Sequence, residues 1–423
     1  MLDKNYLRCD ADIRFNFKLR GFFFNYLFFE KLDIKIRLLK TKIYKLQHKH
    51  NTLSVIVKNL KRNDFSIFYF LSEIFLFKLL IINIKNKLFY LEKIFNDFLL
   101  KVPNLLHKSV YVGLSELDNI EIKVFFCKAN KTTSIFNDFE SDKSYIDFET
   151  SSKISGSGFV ILKSYLAQLY RALGNYMLDL HIFEHGYKEI YSPLIVKEQS
   201  MFNSGHFPKF FKDQFAIEDS DMWLIPTAEV VLTNLISNSY LDFNDLPLKF
   251  ASKTSCFRKE RGSYGSRVRG LIRQHQFDKV ELVNVVLPKK SYLYLEELVY
   301  HAEKVLQNLF LPYRVISLCS SDVGFTSTKT YDIEAWFPKR KMYIEVSSCS
   351  NTETFQSFRM KSKVFDKNKF FCYPHILNGS GLAIGRVLLC LIENYSEVNG
   401  DLVIPDVLIK YMNGCDKIKF LKK

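Results

Sequence analysis

The chain has 423 residues, 48% of them apolar, and its 60 Lys and Arg outnumber 45 Asp and Glu for a formal net charge of +15. That apolar fraction is enough for a sizeable core and excludes a wholly disordered chain; at roughly 150 residues per domain the length corresponds to two or three domains. Eight scattered cysteines, with no Cys-x-x-Cys and no paired Cys/His spacing, argue against a zinc site or a disulfide framework and for a reducing compartment, the cytoplasm.

The opening MLDKNYLRCD carries acids early and lacks the apolar core and small-residue cleavage site of a signal peptide. The charge surplus is uneven. Residues 1–110 hold 21 Lys and Arg against 9 Asp and Glu, a net +12, and the other 313 residues are left with only +3. A basic appendage on a near-neutral body is the profile of a polyanion-binding arm. From Leu32 the apolar residues fall at Leu32, Ile36, Leu39, Ile43, Leu46, Leu53, Val57 and Leu60, a 4-3 spacing that skips His50. A second run follows at Phe77, Ile81, Ile84, Leu88, Leu91, Phe95 and Phe98 and stops before Pro103. Two such seams joined through Lys61-Arg62-Asn63-Asp64 predict an antiparallel coiled-coil hairpin over about residues 30–102, with His50 setting register. Lys35, Lys42, Lys45 and Lys49 lie off the seam and form a basic stripe suited to a phosphate backbone or to an ordinary solvated face. Phe65–Ile82 approaches membrane-span length, but Glu73 and Lys78 inside it would each cost about 2.5–3.5 kcal/mol at a bilayer centre, so no membrane partner is expected. Phe75, Leu79, Leu80 and Phe89 fall off the second seam.

After a mixed segment over 111–150, Ile161–Gly186 reads as a helix and YKEIYSPLIV as a strand. LIPTAEVVLTN then places Thr227 and Glu229 on one face of a short alternating piece. Between Lys253 and Arg273 stand seven basic residues, Arg261, Arg267 and Arg269 among them, against a single acid, Glu260. With glycines at 262, 265 and 270 this predicts a strand, a cationic loop and a return strand carrying Phe277, Lys279 and Glu281 at period two. Further on, TYDIEAWFPKRKMYIEVSSCSN alternates as strands, and Glu345 and Ser348 offer the hard oxygens that Mg²⁺ accepts beside a phosphate. HILNGSGLAIGRVLLCLIENY reads as a strand, a Gly-rich turn and a helix with Arg386 at its start, an anion site by its charge and free N–H groups. Two motifs mislead. Gly379, Gly381 and Gly385 imitate a dinucleotide-binding turn, but only 38 residues follow Gly385, too few for that fold. Arg359–Lys363 (RMKSK) imitates the lysine–serine loop of Rossmann-type synthetases, but the histidine–glycine partner motif of that loop is missing.

TAEV, FRKE with GLIRQHQFDKVEL, YDIEAWFP, EVSSCSN and LNGSGLAIGR, in this order, resemble the seryl-tRNA synthetases, a class II aminoacyl-tRNA synthetase family. MLDKNYLR, VPNLL and IPDVLIKYMNG extend the resemblance over essentially the whole chain. It implies an α+β fold: a six- to seven-stranded antiparallel catalytic sheet with flanking helices over residues 111–423, an N-terminal tRNA-binding domain with its coiled-coil arm over 1–110, and a homodimer. It also implies activation of L-serine by ATP to seryl-adenylate with Mg²⁺, then transfer to the 3′ end of tRNA(Ser); whether tRNA(Sec) is also charged is left open. Matched by position, Thr227, Ala228, Glu229, Glu281 and Ser380 are the serine residues. Arg258, Lys259, Glu260, Phe277, Glu345, Val346, Ser347, Ser348 and Arg386 are the ATP residues, with Glu345 and Ser348 holding the metal. Lys35, Lys42, Lys45, Lys49, Arg261, Arg267 and Arg269 face tRNA.

The chain departs from the family pattern at Gly158, Arg261, Ser266–Val268, Thr354, Phe358 and Ile376. Ile376 replaces the threonine that usually precedes LNGS, which predicts the loss of one polar contact near serine. Two competing readings, a tRNA-binding protein that has lost activation and an inert coiled-coil scaffold, are opposed by the intact Arg258, Glu260, Glu281, Glu345 and Arg386.

Overall fold

The computed structural model describes residues 1–8, 11–60, 66–126, 143–260, 270–365, 371–397 and 400–419. They form two compact units, one of Asp3–Phe17 and Phe22–Val102, the other of Met1–Leu2, Lys18–Gly21 and Pro103–Lys423.

The first unit is built on helices Tyr26–Asn59 (α1) and Ser66–Leu100 (α2). At 1.5 Å per residue each is about 50 Å long. The Asn25 side chain accepts from Phe28 N at 3.0 Å and caps α1. The expected seam is the observed one: Leu32, Ile36, Ile43, Ile81, Leu91 and Phe95 are buried, while Leu39, Leu46, Leu53, Val57, Phe77, Ile84, Leu88 and Phe98 are half-buried. His50 is half-buried at its seam position. Lys40 reaches Glu92 at 2.7 Å across the two legs, and Phe29 packs on Phe95 with centroids 5.4 Å apart. Lys35, Lys42, Lys45 and Lys49 are exposed. Helix α2 is long and apolar enough to cross a membrane; here its seam packs on α1, and Phe75, Leu79, Leu80 and Phe89 stay exposed. The expected link Lys61–Asp64 lies outside the described residues.

The second unit contains an eight-stranded sheet. Its strands in chain order are Ile120–Phe125 (β1), Lys188–Glu189 (β2), Leu248–Phe257 (β3), Gln276–Val286 (β4), Tyr313–Ser317 (β5), Lys329–Phe337 (β6), Met342–Asn351 (β7) and His375–Ala383 (β8). They pair in the order β1-β5-β6-β7-β8-β4-β3-β2. All neighbours are antiparallel except the edge pair β2/β3, so the sheet is larger than the six or seven strands expected and carries one parallel edge. Helices Ser164–Phe183 (α3), Ser291–Asn308 (α5) and Ile384–Tyr395 (α7) cover one face. Leu173, Met177, Leu298, Val387 and Leu391 from these helices share one apolar cluster with Val280, Leu282, Ile333 and Leu377 of the sheet. Because side chains alternate along a strand, Phe277, Lys279 and Glu281 of β4 emerge on the face opposite Val280 and Leu282.

Two local expectations are corrected. LIPTAEVVLTN is not an alternating piece: a short strand, Met222–Leu224, is followed by a turn and a helix, Glu229–Asn234 (α4). Thr227 Oγ1 accepts from Glu229 N at 3.2 Å, so the threonine closes the first turn of α4, a local bond that outcompetes strand alternation. The glycines of LNGSG do not make a turn either. They lie inside β8, which runs straight into α7. A Cβ on Gly379 would come within 2.9 Å of Cys349 Sγ, and one on Gly381 within 2.7 Å of His181 Nε2. They are glycine because the Cys349 thiol of β7 and the helix side chains Leu298 and His181 crowd the sheet there.

Candidate active site

The turn before α4 is stitched to the end of β3. Phe257 N donates to Ile225 O at 2.9 Å, and Arg258 Nε donates to Pro226 O at 3.2 Å. This places Thr227 beside β4, where its hydroxyl donates to Glu281 Oε2 at 2.5 Å. Lys279, two residues along the same face, reaches that oxygen at 2.5 Å. Glu229 lies close by, and Gln356 Nε2 donates to its Oε1 at 2.6 Å. Burial raises the pKa of both carboxyls above the ordinary range; for Glu281 the attraction of Lys279 opposes this and the charge of Glu229 adds to it. Glu281 is buried and paired with Lys279, and the half-buried Glu229 beside it adds a second acid, a set suited to an ammonium ligand. Ala228, between Thr227 and Glu229 in sequence, is buried in an apolar cluster with Leu232, Phe250 and Ile376, and its carbonyl accepts from Val231 N and Leu232 N at 2.9 Å each. Ile376 packs in that core.

A cleft adjoins these acids and is lined by Arg258, Glu260, Phe277, Lys279, Glu345, Val346, Ser380 and Arg386. The Arg258 guanidinium lies 5.2 Å from the Phe277 ring centroid, Glu260 pairs with Arg273 at 2.6 Å, and Arg386 donates to Glu345 O at 2.6 Å and Ile272 O at 3.2 Å. Ser347 Oγ donates to Ser380 O at 2.6 Å and ties β7 to β8. Lys259 is turned away: its ammonium sits 5.4 Å from the Phe215 ring centroid. Arg261, Arg267 and Arg269, with Ser266 and Val268, lie outside the described residues.

Glu345 and Ser348 are three apart, a spacing that puts side chains on opposite faces of a regular strand. A bulge reconciles them. Ser348 pairs with Asp332 and Ser347 with Ile333, but Glu345 pairs with Glu334, leaving Val346 as the extra residue. Since Asp332 and Glu334 share a face, so do Ser348 and Glu345. Among the described residues no group of three or more His, Cys, Asp or Glu side chains could hold a metal ion. The two hard oxygens of Glu345 and Ser348 on one face would suit only a cation that keeps waters and takes its remaining oxygens from phosphate, the habit of Mg²⁺.

Sequence reasoning missed three site residues. Gln356 hydrogen-bonds Glu229, Asn378 stands near that carboxyl and favours its charged form, and Lys279 pairs with Glu281. Only Lys279 carried a signal, its period-two spacing with Phe277 and Glu281. The Arg359–Lys363 segment is structural: Arg359 Nη1 donates to Phe202 O and Phe207 O, each at 2.9 Å. At Gly158, where φ is +86°, a Cβ would lie 2.5 Å from His275 Cδ2, and its carbonyl accepts from His275 N. Phe358 packs on Tyr373 with centroids 5.0 Å apart, and nothing in the structure explains Thr354.

Residues 211–395 match the family model of the tRNA synthetase class II core domain (G, H, P, S and T). The serine–tRNA ligase of Wigglesworthia glossinidia brevipalpis is 45% identical over 396 residues, 92% of each chain, and that of Thiobacillus denitrificans is 41% identical over 99% of each. The crystal structure of seryl-tRNA synthetase from Pyrococcus horikoshii complexed with ATP superposes with a TM-score of 0.91 at 30% identity, covering all of both chains. The cytoplasmic serine–tRNA ligase of Naegleria fowleri in complex with AMP gives 0.82 at 25% identity. With its arm, its sheet and its two acids beside a cleft lined by arginines, the chain belongs to the seryl-tRNA synthetase family of class II aminoacyl-tRNA synthetases.

Proposed function

We propose that the chain is an ATP-dependent serine–tRNA ligase. It joins L-serine to AMP with release of pyrophosphate, then passes the seryl group to the 3′-terminal ribose of tRNA(Ser). The observation that carries this reading is the adjacency of the acid pair, half-buried Glu229 and buried Glu281, to the cleft that Arg258 and Arg386 line. The acids take the serine ammonium, with Thr227, the Ala228 backbone and Ser380 around the rest of the amino acid. Arg258 takes the α-phosphate, Glu260 reads the adenine edge, Phe277 stacks on one adenine face and Arg386 covers the other near the γ-phosphate. Glu345 and Ser348, beside Val346 and Ser347, hold a Mg²⁺ that neutralises phosphate charge when bound. With the ammonium pinned, the serine carboxylate oxygen attacks the α-phosphorus in line, the bond to the β-phosphate oxygen breaks, and pyrophosphate leaves with the electron pair. A ribose hydroxyl of the tRNA then attacks the acyl carbon, its proton is lost and AMP departs. No enzyme nucleophile is required; positioning and charge neutralisation supply the rate.

The test is serine-dependent ATP–pyrophosphate exchange with Mg²⁺ present. Exchange with serine and none with alanine or glycine supports the reading; no exchange with serine overturns it in favour of a tRNA-binding protein without activation. The two acids also predict a pH dependence. Their pKa values are raised, so they take up protons on acidification at a higher pH than ordinary carboxyls do and lose the charge that holds the ammonium. The expected result is that KM for serine in exchange rises as pH falls, starting above the ordinary carboxylate range, while KM for ATP changes little. A serine KM that stays flat down to pH 5 would place the ammonium elsewhere.

The exposed Tyr191, Leu194 and Ile195, just beyond the edge strand β2, support a homodimer, and the free thiols Cys256, Cys319, Cys349, Cys372, Cys390 and Cys415 support a cytoplasmic location. The exposed Lys35, Lys42, Lys45 and Lys49 support tRNA contact along the arm. The division into a tRNA-binding domain over 1–110 and a catalytic domain over 111–423 is part of this reading.

A further inference from the structure

We infer that the outer face of α2 docks on an anionic lipid surface, with the helix lying in the headgroup layer rather than crossing the bilayer.

The seam that packs on α1, with Ile81, Leu91 and Phe95 buried, uses one side of α2. On the opposite side Phe68, Leu71, Phe75, Leu79, Ile82 and Phe89 follow at intervals of three, four, four, three and seven residues, which sets them in one line along the helix. All six are exposed, from 46% at Ile82 to 82% at Phe68. The line is about 32 Å long at 1.5 Å per residue. Leu76, Leu80 and Tyr90, also exposed, widen it along one edge. A stripe this broad is what a helix ordinarily turns towards a core, and left outside it marks a contact surface.

Charge selects the partner. Glu73, the one acid between Phe68 and Phe89, falls off the line and accepts from the Tyr69 hydroxyl at 3.2 Å. Glu92 is off it too and meets Lys40 of α1 at 2.7 Å, and Asp97 lies beyond the end of the line. The exposed Lys78 and Lys85, seven apart, run along the other edge, and the exposed Lys93 follows Phe89 by four. Lysine stems reach past apolar surface to hold their ammonium groups in water or against phosphate. Phenylalanine and leucine on one face with lysines at its margin are the composition of a helix that lies about 5–10 Å deep at the boundary of headgroups and acyl chains. The surplus of +12 over residues 1–110 adds attraction to anionic lipids. A second copy of the arm would set that surplus against itself. Asn86, on the line between Ile82 and Phe89, would also lose its water in a dry helix pair but keeps it among headgroups. The charges that oppose a span do not oppose this pose, since Glu73 stays off the lipid-facing line and Lys78 has only to reach the headgroups.

The test uses the full-length protein and vesicles of phosphatidylcholine, alone or mixed in equal parts with phosphatidylglycerol. At low salt the mixed vesicles are expected to carry down at least about tenfold more protein than the neutral ones. The combined variant Phe75→Gln, Leu79→Gln and Phe89→Gln is expected to lower partitioning into mixed vesicles at least about tenfold. Its melting temperature and serine-dependent exchange should hold, because glutamine suits a helix and none of the three side chains packs on α1. Phe75→Trp places a probe in the face. Its emission, taken as the difference from the unsubstituted protein, should shift to the blue on mixed vesicles and be quenched by lipids brominated on the acyl chain. No binding to mixed vesicles, or a Trp emission that neither shifts nor is quenched, overturns the inference. A glutamine variant that binds as tightly as the parent overturns it as well, since the contact is then purely electrostatic. If that variant keeps vesicle binding and instead loses affinity for tRNA(Ser), or falls to a smaller assembly, the face belongs to tRNA or to a second copy. Should the triple variant melt early, Phe75→Gln alone takes its place, with the Trp readout unaffected.

Discussion

Replacing Arg258 with alanine is expected to lower serine-dependent ATP–pyrophosphate exchange by about 100- to 1,000-fold, or about 2.7–4 kcal/mol, the range found when one preorganised donor to a developing anion is removed. The guanidinium is fixed before any nucleotide arrives. Its Nε donates to Pro226 O, it lies 5.2 Å from the Phe277 ring centroid, and the Arg258 backbone N–H donates to His275 O at 2.9 Å. On the proposed reading such a fork neutralises phosphate charge without reorganising when pentavalent phosphorus forms, so the loss should fall on kcat as well as on KM for ATP. Arg258→Lys should recover only part of the rate. Lysine keeps the charge but loses the planar fork and the bond to Pro226, which also fastens the turn bearing Thr227. A tenfold or smaller loss in Arg258→Ala, with thermal stability unchanged, would mean that the α-phosphate is held elsewhere in the cleft.

What the sequence made legible tracks how local the determining physics is. The heptad seam of the arm is a statement about spacing alone, and every seam position named, His50 included, is buried or half-buried. The face bearing Phe277, Lys279 and Glu281 was equally readable because strand alternation is a period of two. The metal pair was read from its chemistry, yet regular alternation would have separated Glu345 from Ser348; the bulge at Val346 that unites them is set by pairing with β6, a non-local partner. The glycines of β8 were misread as a turn because their cause, the approach of His181 and Leu298 from helices far away in the chain, leaves no mark near residues 379–381. Thr227 was misplaced for the opposite reason: its hydroxyl serves its own backbone and bends a seemingly alternating run into a helix start. Gln356 had no local signature either, since it meets Glu229 over a separation of 127 residues.

Removing residues 32–102 is expected to leave adenylate formation within about twofold of the intact enzyme and to lower aminoacylation of tRNA(Ser) by at least about 100-fold, equivalent to about 2.7 kcal/mol of lost tRNA binding. The division follows from where the groups sit. Each residue assigned to serine and ATP belongs to the unit formed chiefly by Pro103–Lys423, whereas α1 and α2 belong to the other unit and have their own apolar seam. The binding role proposed for the arm is electrostatic, so it would carry a signature that a structural defect would not. Phosphate contacts release condensed counterions, and the logarithm of affinity then falls linearly with the logarithm of salt concentration. Changing Lys35, Lys42, Lys45 and Lys49 together to alanine should therefore weaken tRNA binding at low salt and flatten the salt slope by roughly one for each lysine that meets a phosphate. These side chains are exposed and off the seam, so the hairpin should melt as before. An unchanged slope would assign tRNA contact to other residues of the arm, the exposed Phe75, Leu79, Leu80 and Phe89 of α2 among them. Equal loss of adenylate formation and aminoacylation on deletion would show that the arm supports the catalytic sheet rather than the tRNA.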